Sequence, residues 1–264
     1  MNHAALHDTM VSLVLISGYR ALESFRTREF VQNRKPDNSL VTSADLEVDR
    51  IITAGLQRHY PAIPVLSEEG DNHAPPEDGT FFLVDPIDGT NGFANGNPQF
   101  TINIAYLENC KLLMGAVYAP AVGFLCHNDA SRNVYGIRSD NLAELIMQRS
   151  TPLKRPQANA NALRAVISGS AKQGSRDLDM LDGYKLSGHA RASSSLKFNM
   201  LVAGEADVYA RRMETSEWDT AAGHAILLAS GGVVLTADGA PLTYGKPGLR
   251  NPGFIALAEG AVVS

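Results

Sequence analysis

Residues 81–90 read FFLVDPIDGT, an apolar run that ends in two carboxylates and a Gly-Thr pair. Four successive apolar residues indicate a strand that is covered on both faces, with Asp85 at its end. Pro86 fixes its own φ and has no N–H, while Gly89 lets a ligand approach the backbone closely. The stretch therefore predicts a buried strand that presents acidic side chains to a ligand.

The two carboxylates of this stretch need a counter-charge. Asp85 and Asp88 repel each other, and their burial is costly unless a cation neutralises them. Oxygen ligands without Cys or His favour Mg²⁺, Mn²⁺ or Ca²⁺. A divalent metal site is one interpretation. The other is ordinary turn formation, which uses the same Asp, Pro and Gly residues for local reasons.

Length and composition indicate a globular protein. The 264 residues suffice for one large domain or two packed halves, and 44% hydrophobic and 19% charged residues are typical of that class. A net charge of −5 argues against a nucleic-acid-binding surface. Cys110 and Cys126 lack the spacing of a zinc site. With no signal-peptide pattern and no run near the ~18 apolar residues of a membrane span, we expect a cytoplasmic location.

The periodicity of the chain predicts helices layered on sheets. We expect an N-terminal α+β half, residues 1–138, which carries most of the acidic positions. A C-terminal α/β half, residues 139–264, should pack against it to form one functional unit, after a polar and irregular passage over about 141–160. The main expected elements are helices over 8–25, 193–203 and 218–230, a helix capped by Thr42 or Ser43, and strands over 63–66, 101–107, 111–118, 122–126, 134–136, 165–168, 207–210 and 233–236.

Three further acidic residues lie at the ends of predicted elements. Glu68 follows a short strand, Asp219 opens a helix directly after Trp218, and Asp45 lies in the first turn of a helix. Taken alone, each has a simple explanation as a solvated carboxylate or a capping group. Their number and order suggest a shared site.

Four motifs stand in an order that resembles the inositol monophosphatase superfamily. They are DNSLVTSAD at 37–45, LSEE at 66–69, DPIDGT at 85–90 and WDTAAG at 218–223. Within that superfamily, SSSLKF at 193–198 and NPGF at 251–254 look most like bacterial 3′(2′),5′-bisphosphate nucleotidases of the CysQ type. The resemblance spans nearly the whole chain and implies a layered α-β-α-β-α sugar-phosphatase fold.

The resemblance implies a Mg²⁺-dependent phosphomonoesterase that converts adenosine 3′,5′-bisphosphate to AMP and phosphate. Such an enzyme would be lithium-sensitive and serve sulfur metabolism. The alternatives are an inositol monophosphatase or other sugar phosphatase and, from another class, a non-catalytic metal-dependent phosphate-binding protein. The implied partner is a small phosphate ester and not a nucleic acid. The resemblance also implies a monomer or homodimer in the cytoplasm. Peripheral association with the cytoplasmic face of the inner membrane is a further option.

The same resemblance assigns residues to roles. Asp45 and Thr90 would orient and deprotonate the attacking water, assisted by Glu68. Two or three Mg²⁺ ions would be held by Glu68, Asp85, the Ile87 carbonyl oxygen, Asp88 and Asp219. The substrate would contact Glu68, Ile87, Asp88, Gly89, Thr90, Ser194, Lys197, Arg211 and Asp219.

One departure from the nucleotidase pattern concerns the substrate. Where those enzymes tend to show Ser-Arg-Ser-His, residues 168–171 read SGSA, so Ala171 replaces the expected histidine contact. Lys197 and Arg211 can also be read as ordinary solvated cations. The preferred phosphate ester therefore depends on Ser194, Lys197, Arg211 and the unexpected Ala171.

Overall fold

The structure, a computed structural model, describes residues 1–262 and consists of two large sheets that alternate with helices in five layers. The layered α-β-α-β-α prediction is confirmed. In the first 150 residues the helices and strands are α1 (His3–Thr27), β1 (Gln32–Arg34), β2 (Leu40–Thr42), α2 (Ser43–His59), β3 (Val65–Ser67), β4 (Phe81–Asp88), α3 (Thr90–Ala94), β5 (Thr101–Glu108), β6 (Lys111–Ala119), β7 (Phe124–Asn128), β8 (Val134–Arg138) and α4 (Leu142–Gln148).

The remaining elements form the second sheet, its helices and a separate two-stranded pair of β12 with β14. They are β9 (Leu163–Ser168), α5 (Ala171–Leu178), β10 (Leu186–Ala192), α6 (Leu196–Val202), β11 (Val208–Arg211), β12 (Thr215–Ser216), α7 (Ala221–Ala229), β13 (Val233–Thr236), β14 (Arg250–Asn251) and β15 (Phe254–Leu257).

The first sheet has the strand order β3-β4-β5-β6-β7-β8. Only its β3–β4 pair is parallel. Helices α1 and α2 pack on one face, where Phe82, Val84 and Tyr106 are fully buried with the apolar side of α1. Helices α6 and α7 pack on the other face. Because both faces are covered, residues 81–84 of β4 are all apolar, as the sequence predicts.

The second sheet has the order β10-β9-β11-β15-β13 and mixes parallel with antiparallel pairs. Helices α6 and α7 lie between the two sheets, and α5 covers the far side of the second sheet. One apolar core joins Leu83 of the first sheet, Phe198 of α6 and Phe254 of the second sheet. The two halves are thus tied by a shared core.

A bulge interrupts the central strand β4. Asp85 pairs with Asn103 and Asp88 pairs with Thr101, so two residues of β4 face a single residue of β5. Pro86 occupies this irregular position, where its missing N–H costs no ladder bond. Residues three apart on a regular strand point to opposite faces, and the extra residue brings Asp85 and Asp88 back toward the same side.

The strands predicted over 101–107 and 111–118 are confirmed, whereas several other predicted boundaries are wrong. The strand expected to end at Asp85 continues to Asp88, because the bulge accommodates Pro86. The passage over 141–160 contains helix α4, which Asn141 caps through its side chain. The helices expected at 193 and 218 begin instead at Leu196 and Ala221. Helix α5 and strand β10 were not predicted, since both are polar and largely exposed.

None of the helices in residues 1–262 combines the length and the apolar character that a membrane span requires.

Candidate active site

Four carboxylates converge from three separate segments of the chain. Glu68 follows β3, Asp85 and Asp88 belong to β4, and Asp219 lies in the turn before α7. Carboxylate oxygens of Glu68, Asp85 and Asp219 all lie within 4.8 Å of one another. The short parallel pair β3–β4 places Glu68 beside the bulged strand, and α7, packed on β5 and β6, brings Asp219 to the same place.

Asp85 is the most strongly perturbed member of this cluster. Its side chain is 1% exposed, and neither carboxylate oxygen has a hydrogen-bond partner among the described residues. Burial, followed by the charges of Glu68, Asp88 and Asp219, raises the pKa of Asp85 well above its usual value. Burial with the charges of Asp88 and Glu68 also raises the pKa of Asp219 to about 8.

The carboxylates of Asp88 and Asp219 accept hydrogen bonds from backbone amides, and Ser195 bonds both residues. The Ser195 amide donates to Asp88 Oδ2 at 2.6 Å, and the Ser195 hydroxyl donates to the Asp219 carbonyl oxygen at 2.6 Å. The Ser216 amide donates to Asp219 Oδ2 at 2.8 Å. Ser195 therefore fixes the distance between β4 and the turn before α7.

These carboxylates fit a divalent cation. Two buried carboxylate oxygens without a donor are costly to leave unpaired, and a cation with oxygen ligands satisfies both at once. The donor set contains no sulfur or imidazole, which favours Mg²⁺ over Zn²⁺. The residues that would hold the ion are Glu68, Asp85, Asp88, Asp219 and, through its carbonyl oxygen, Ile87.

Asp45 and Thr90 form a hydrogen-bonded pair beside this cluster. The Thr90 hydroxyl donates toward Asp45 Oδ1 at 3.0 Å and lies 3.1 Å from the Ile87 carbonyl oxygen. The other carboxylate oxygen of Asp45 accepts from the Thr42 amide at 2.8 Å, completing a capping box at the start of α2. Burial raises the pKa of Asp45 despite these donors. The helix cap thus fixes one oxygen of Asp45 and leaves the other to Thr90.

Gly89 is required at the turn between β4 and α3. Its φ is +94°, and a Cβ there would collide with the Ser194 hydroxyl. That hydroxyl is 2.9 Å from both the Asp88 and the Gln99 carbonyl oxygens. The family resemblance implies Ser194 as a substrate contact, and in the structure its hydroxyl donates to backbone carbonyl oxygens. Ser194 therefore links this turn to the segment before α6 through hydrogen bonds.

Lys197 and Arg211 line a small cavity of about 90 Å³ that Asp88 and Asp219 also border. Lys197 is 4% exposed, so its interpretation as a solvated cation is wrong. Its Nζ donates to the Ser194 carbonyl oxygen at 2.7 Å, and burial lowers its pKa to about 8. Arg211 Nη1 donates to Ser168 Oγ at 2.8 Å. A pocket of two cations thus adjoins the acidic cluster.

Ala171 is the first residue of α5 and is exposed. Ser170 caps this helix by accepting from the Gln173 amide at 3.3 Å. The segment that departs from the nucleotidase pattern is therefore an ordinary helix start.

A larger cleft of about 670 Å³ opens on the other side of Asp219. Its wall includes four residues that our sequence analysis missed, namely Lys35, His73, Trp218 and Arg250. Lys35 Nζ lies 3.2 Å from Glu68 Oε1 and 2.7 Å from Glu69 Oε1. In the sequence Lys35 belongs to a polar turn over residues 35–40, and nothing in these residues indicates that the β1–β2 hairpin places Lys35 in the cleft.

We expect Mg²⁺ to stabilise the protein more at about pH 8 than at about pH 6. The raised pKa values mean that the metal-free folded protein holds protons on Asp85 and Asp219 that the unfolded chain releases above about pH 4. The protons on these two carboxyl groups stabilise the metal-free protein fully below the pKa of the unfolded chain, and this contribution is lost as the pH rises toward about 8. A bound cation favours the deprotonated carboxylates instead.

The measurement is the unfolding temperature with Mg²⁺ minus that with EDTA, as a function of pH. Taking this difference cancels the pH-dependent contribution of the buried His127 and His224 to stability, because their lowered pKa values affect both samples equally. A gain from Mg²⁺ that is equal or smaller at about pH 8 contradicts the assignment of these carboxylates to a cation.

The fold and the acidic site together define a phosphoric monoester hydrolase with an acidic cluster that could hold a metal ion. The sequence model of the inositol monophosphatase family matches residues 4–259, and the chain belongs to that family. It is 33% identical over 257 residues to the 3′(2′),5′-bisphosphate nucleotidase CysQ of Buchnera aphidicola, covering 95% of this chain and 93% of the relative. It is 38% identical over 235 residues to CysQ of Salmonella typhimurium, covering 84% and 86%.

Solved structures agree with this membership. The crystal structure of CysQ from Bacteroides thetaiotaomicron, a bacterial member of the family, superposes with a TM-score of 0.79 at 31% identity, covering 97% of each chain. The predicted family and its phosphatase class are confirmed.

Proposed function

We propose that the protein hydrolyses the 3′-phosphate of adenosine 3′,5′-bisphosphate, with Mg²⁺ as its cofactor and Li⁺ as an inhibitor. One observation carries the choice of substrate: the cavity of Lys197 and Arg211 shares Asp88 and Asp219 with the acidic cluster. A substrate with two phosphates can place one at the metal site and the other against the two cations. The CysQ names of its relatives support the same substrate.

In this proposal the protein supplies a base, a cation site and an anion pocket. When bound, Mg²⁺ supplies charge neutralisation and polarisation of the phosphate oxygens. Water gives a proton to the Thr90 hydroxyl as that hydroxyl passes its own proton to Asp45 Oδ1. The water oxygen then bonds to phosphorus while the P–O3′ bond breaks, and solvent protonates the leaving 3′ oxygen. Burial makes Asp45 a stronger base than an exposed aspartate.

A sugar phosphatase activity is the second candidate, favoured by Ala171 in place of the histidine. The test is phosphate release with Mg²⁺ from adenosine 3′,5′-bisphosphate, inositol 1-phosphate and fructose 1,6-bisphosphate. We expect Arg211→Ala to raise KM for the adenosine bisphosphate by about tenfold, the value of one charge-assisted hydrogen bond, and to leave inositol 1-phosphate turnover unchanged.

Arg212→Ala is the matched control, because Arg212 is the exposed neighbour on the same segment. It should leave the kinetics with every substrate unchanged. A preference for inositol 1-phosphate that Arg211→Ala does not alter would move the assignment to a sugar phosphatase. The absence of turnover on all three esters would contradict the proposed activity.

A further inference from the structure

A cavity of about 450 Å³ lies between β6, α7 and β13, and it shares no lining residue with the cleft or the cationic pocket. This volume is within the range of small-molecule sites. Most of its wall is apolar and includes Leu112, Leu228, Val233, Leu235 and Leu242. An apolar molecule would replace water against these side chains with a gain in free energy.

The polar groups of this cavity are cationic or neutral. Lys111 and Arg132 line it, both are exposed, and neither side chain forms an ion pair or hydrogen bond within residues 1–262. No Asp or Glu belongs to the lining. Two unpaired cations beside an apolar wall complement a ligand that has an apolar body and one anionic group.

His224 supplies an independent indication of a ligand. It is 3% exposed, lines the cavity, and is held by a hydrogen bond of 3.0 Å between its Nδ1 and the Tyr244 hydroxyl. Its Nε2 has no hydrogen-bond partner among the described residues. Because no group of the described residues bonds Nε2, this nitrogen is available to a ligand that enters the cavity.

The Tyr244 hydroxyl keeps His224 in this orientation. Tyr244 also hydrogen-bonds the Thr220 hydroxyl at 3.0 Å, and Asn251 Nδ2 donates to Thr220 Oγ at 2.8 Å. This buried chain of hydrogen bonds fixes the ring, and a fixed polar group binds a ligand without an ordering cost.

We propose that this cavity binds a small amphipathic anion, an aromatic or aliphatic molecule with one carboxylate or sulfonate. The apolar body packs on the leucines, the anionic group faces Lys111 and Arg132, and His224 Nε2 bonds a polar atom of the ligand. The site is distinct from the phosphatase site and does not depend on which ester that site hydrolyses.

The test is a fluorescence titration with 8-anilinonaphthalene-1-sulfonate, an aryl sulfonate, and with N-phenyl-1-naphthylamine, its analogue without the sulfonate. We expect the sulfonate to saturate one site per chain at low ionic strength. Lys111→Gln combined with Arg132→Gln should weaken it by about fivefold to tenfold, as two exposed charge pairs predict. Leu228→Glu, which places a carboxylate in the wall, should weaken it further.

The charge-matched control is Arg58→Gln combined with Lys172→Gln, two exposed cations outside this cavity. It should bind the sulfonate as the parent protein does, and all variants should retain the parent phosphatase rate. The lysine and arginine variants should also retain the parent unfolding temperature. Sulfonate binding that neither Lys111→Gln/Arg132→Gln nor Leu228→Glu weakens overturns the proposal. Equal affinity for the uncharged analogue also overturns it, because the cavity would then be a plain apolar pocket.

Discussion

Asp85→Asn should lower kcat by about 10³-fold or more while making the metal-free protein more stable. The loss of activity follows from removing a carboxylate that would hold the cation and neutralise it, and electrostatic groups of this kind are worth that much. The gain in stability follows because Asp85 is buried without a hydrogen-bond donor and is close to four other acids, Glu68, Asp88, Asp219 and Asp45. In the metal-free protein at about pH 8, folding must keep a proton on Asp85 that the unfolded chain releases, and an uncharged amide removes that cost.

Two measurements check this pair of effects. In EDTA at about pH 8 the variant should unfold about 3 °C or more above the parent, which corresponds to roughly 1 kcal/mol for a protein of this size. With Mg²⁺ the order should reverse, because the parent gains the binding free energy of the ion. Asp49→Asn is a useful control, since Asp49 lies near this region but bonds Ser67 and lies outside the cluster. A variant that keeps its activity, or that is less stable in EDTA, would contradict the role given to Asp85.

Thr90→Val should lower kcat by about 10² to 10⁴-fold with little effect on the unfolding temperature. The valine fills the same volume but cannot pass a proton between water and Asp45 Oδ1, and general-base catalysis contributes a factor of this size. Thr90 is only partly buried, so the lost hydrogen bond costs little in stability.

Thr90→Ser is the matched control, because it restores the hydroxyl at the same position. It should retain most of the activity. Asp45→Asn should reduce kcat by a factor similar to Thr90→Val, and the double variant should be hardly worse than either single one, because groups that act as a unit are not additive. Losses that multiply in the double variant would show that Asp45 and Thr90 act independently.

The sequence predicts the layers of the fold well and its irregular positions poorly. The buried strand at 81–84, the hairpin of β5 and β6 and the capped helix α2 each follow from local apolar patterns or caps. The bulge at Pro86 depends on pairing with β5, which the local sequence does not contain. Helix α5 and strand β10 lack apolar periodicity because their outer faces are exposed.

Some residues of the candidate site could likewise be predicted from the sequence, and others could not. The motifs identify the four carboxylates and the Asp45–Thr90 pair, because each lies at the end of an element with a recognisable pattern. Lys35 could not be found, since its contact with Glu68 spans a hairpin and 33 residues of sequence. The burial of Lys197 was equally hidden, because it results from the approach of α6 to the second sheet.

The bulge in β4 has a consequence for transplanting this site. A designer who copies Asp85 and Asp88 onto a regular strand, with the same two residues between them, would place the acids on opposite sides of the new sheet. The scaffold needs either an even spacing of the acids or its own inserted residue with a proline or glycine. The motif DPID therefore encodes a backbone irregularity as much as a set of acidic side chains, and the motif can be copied unchanged only into a host that reproduces the irregularity.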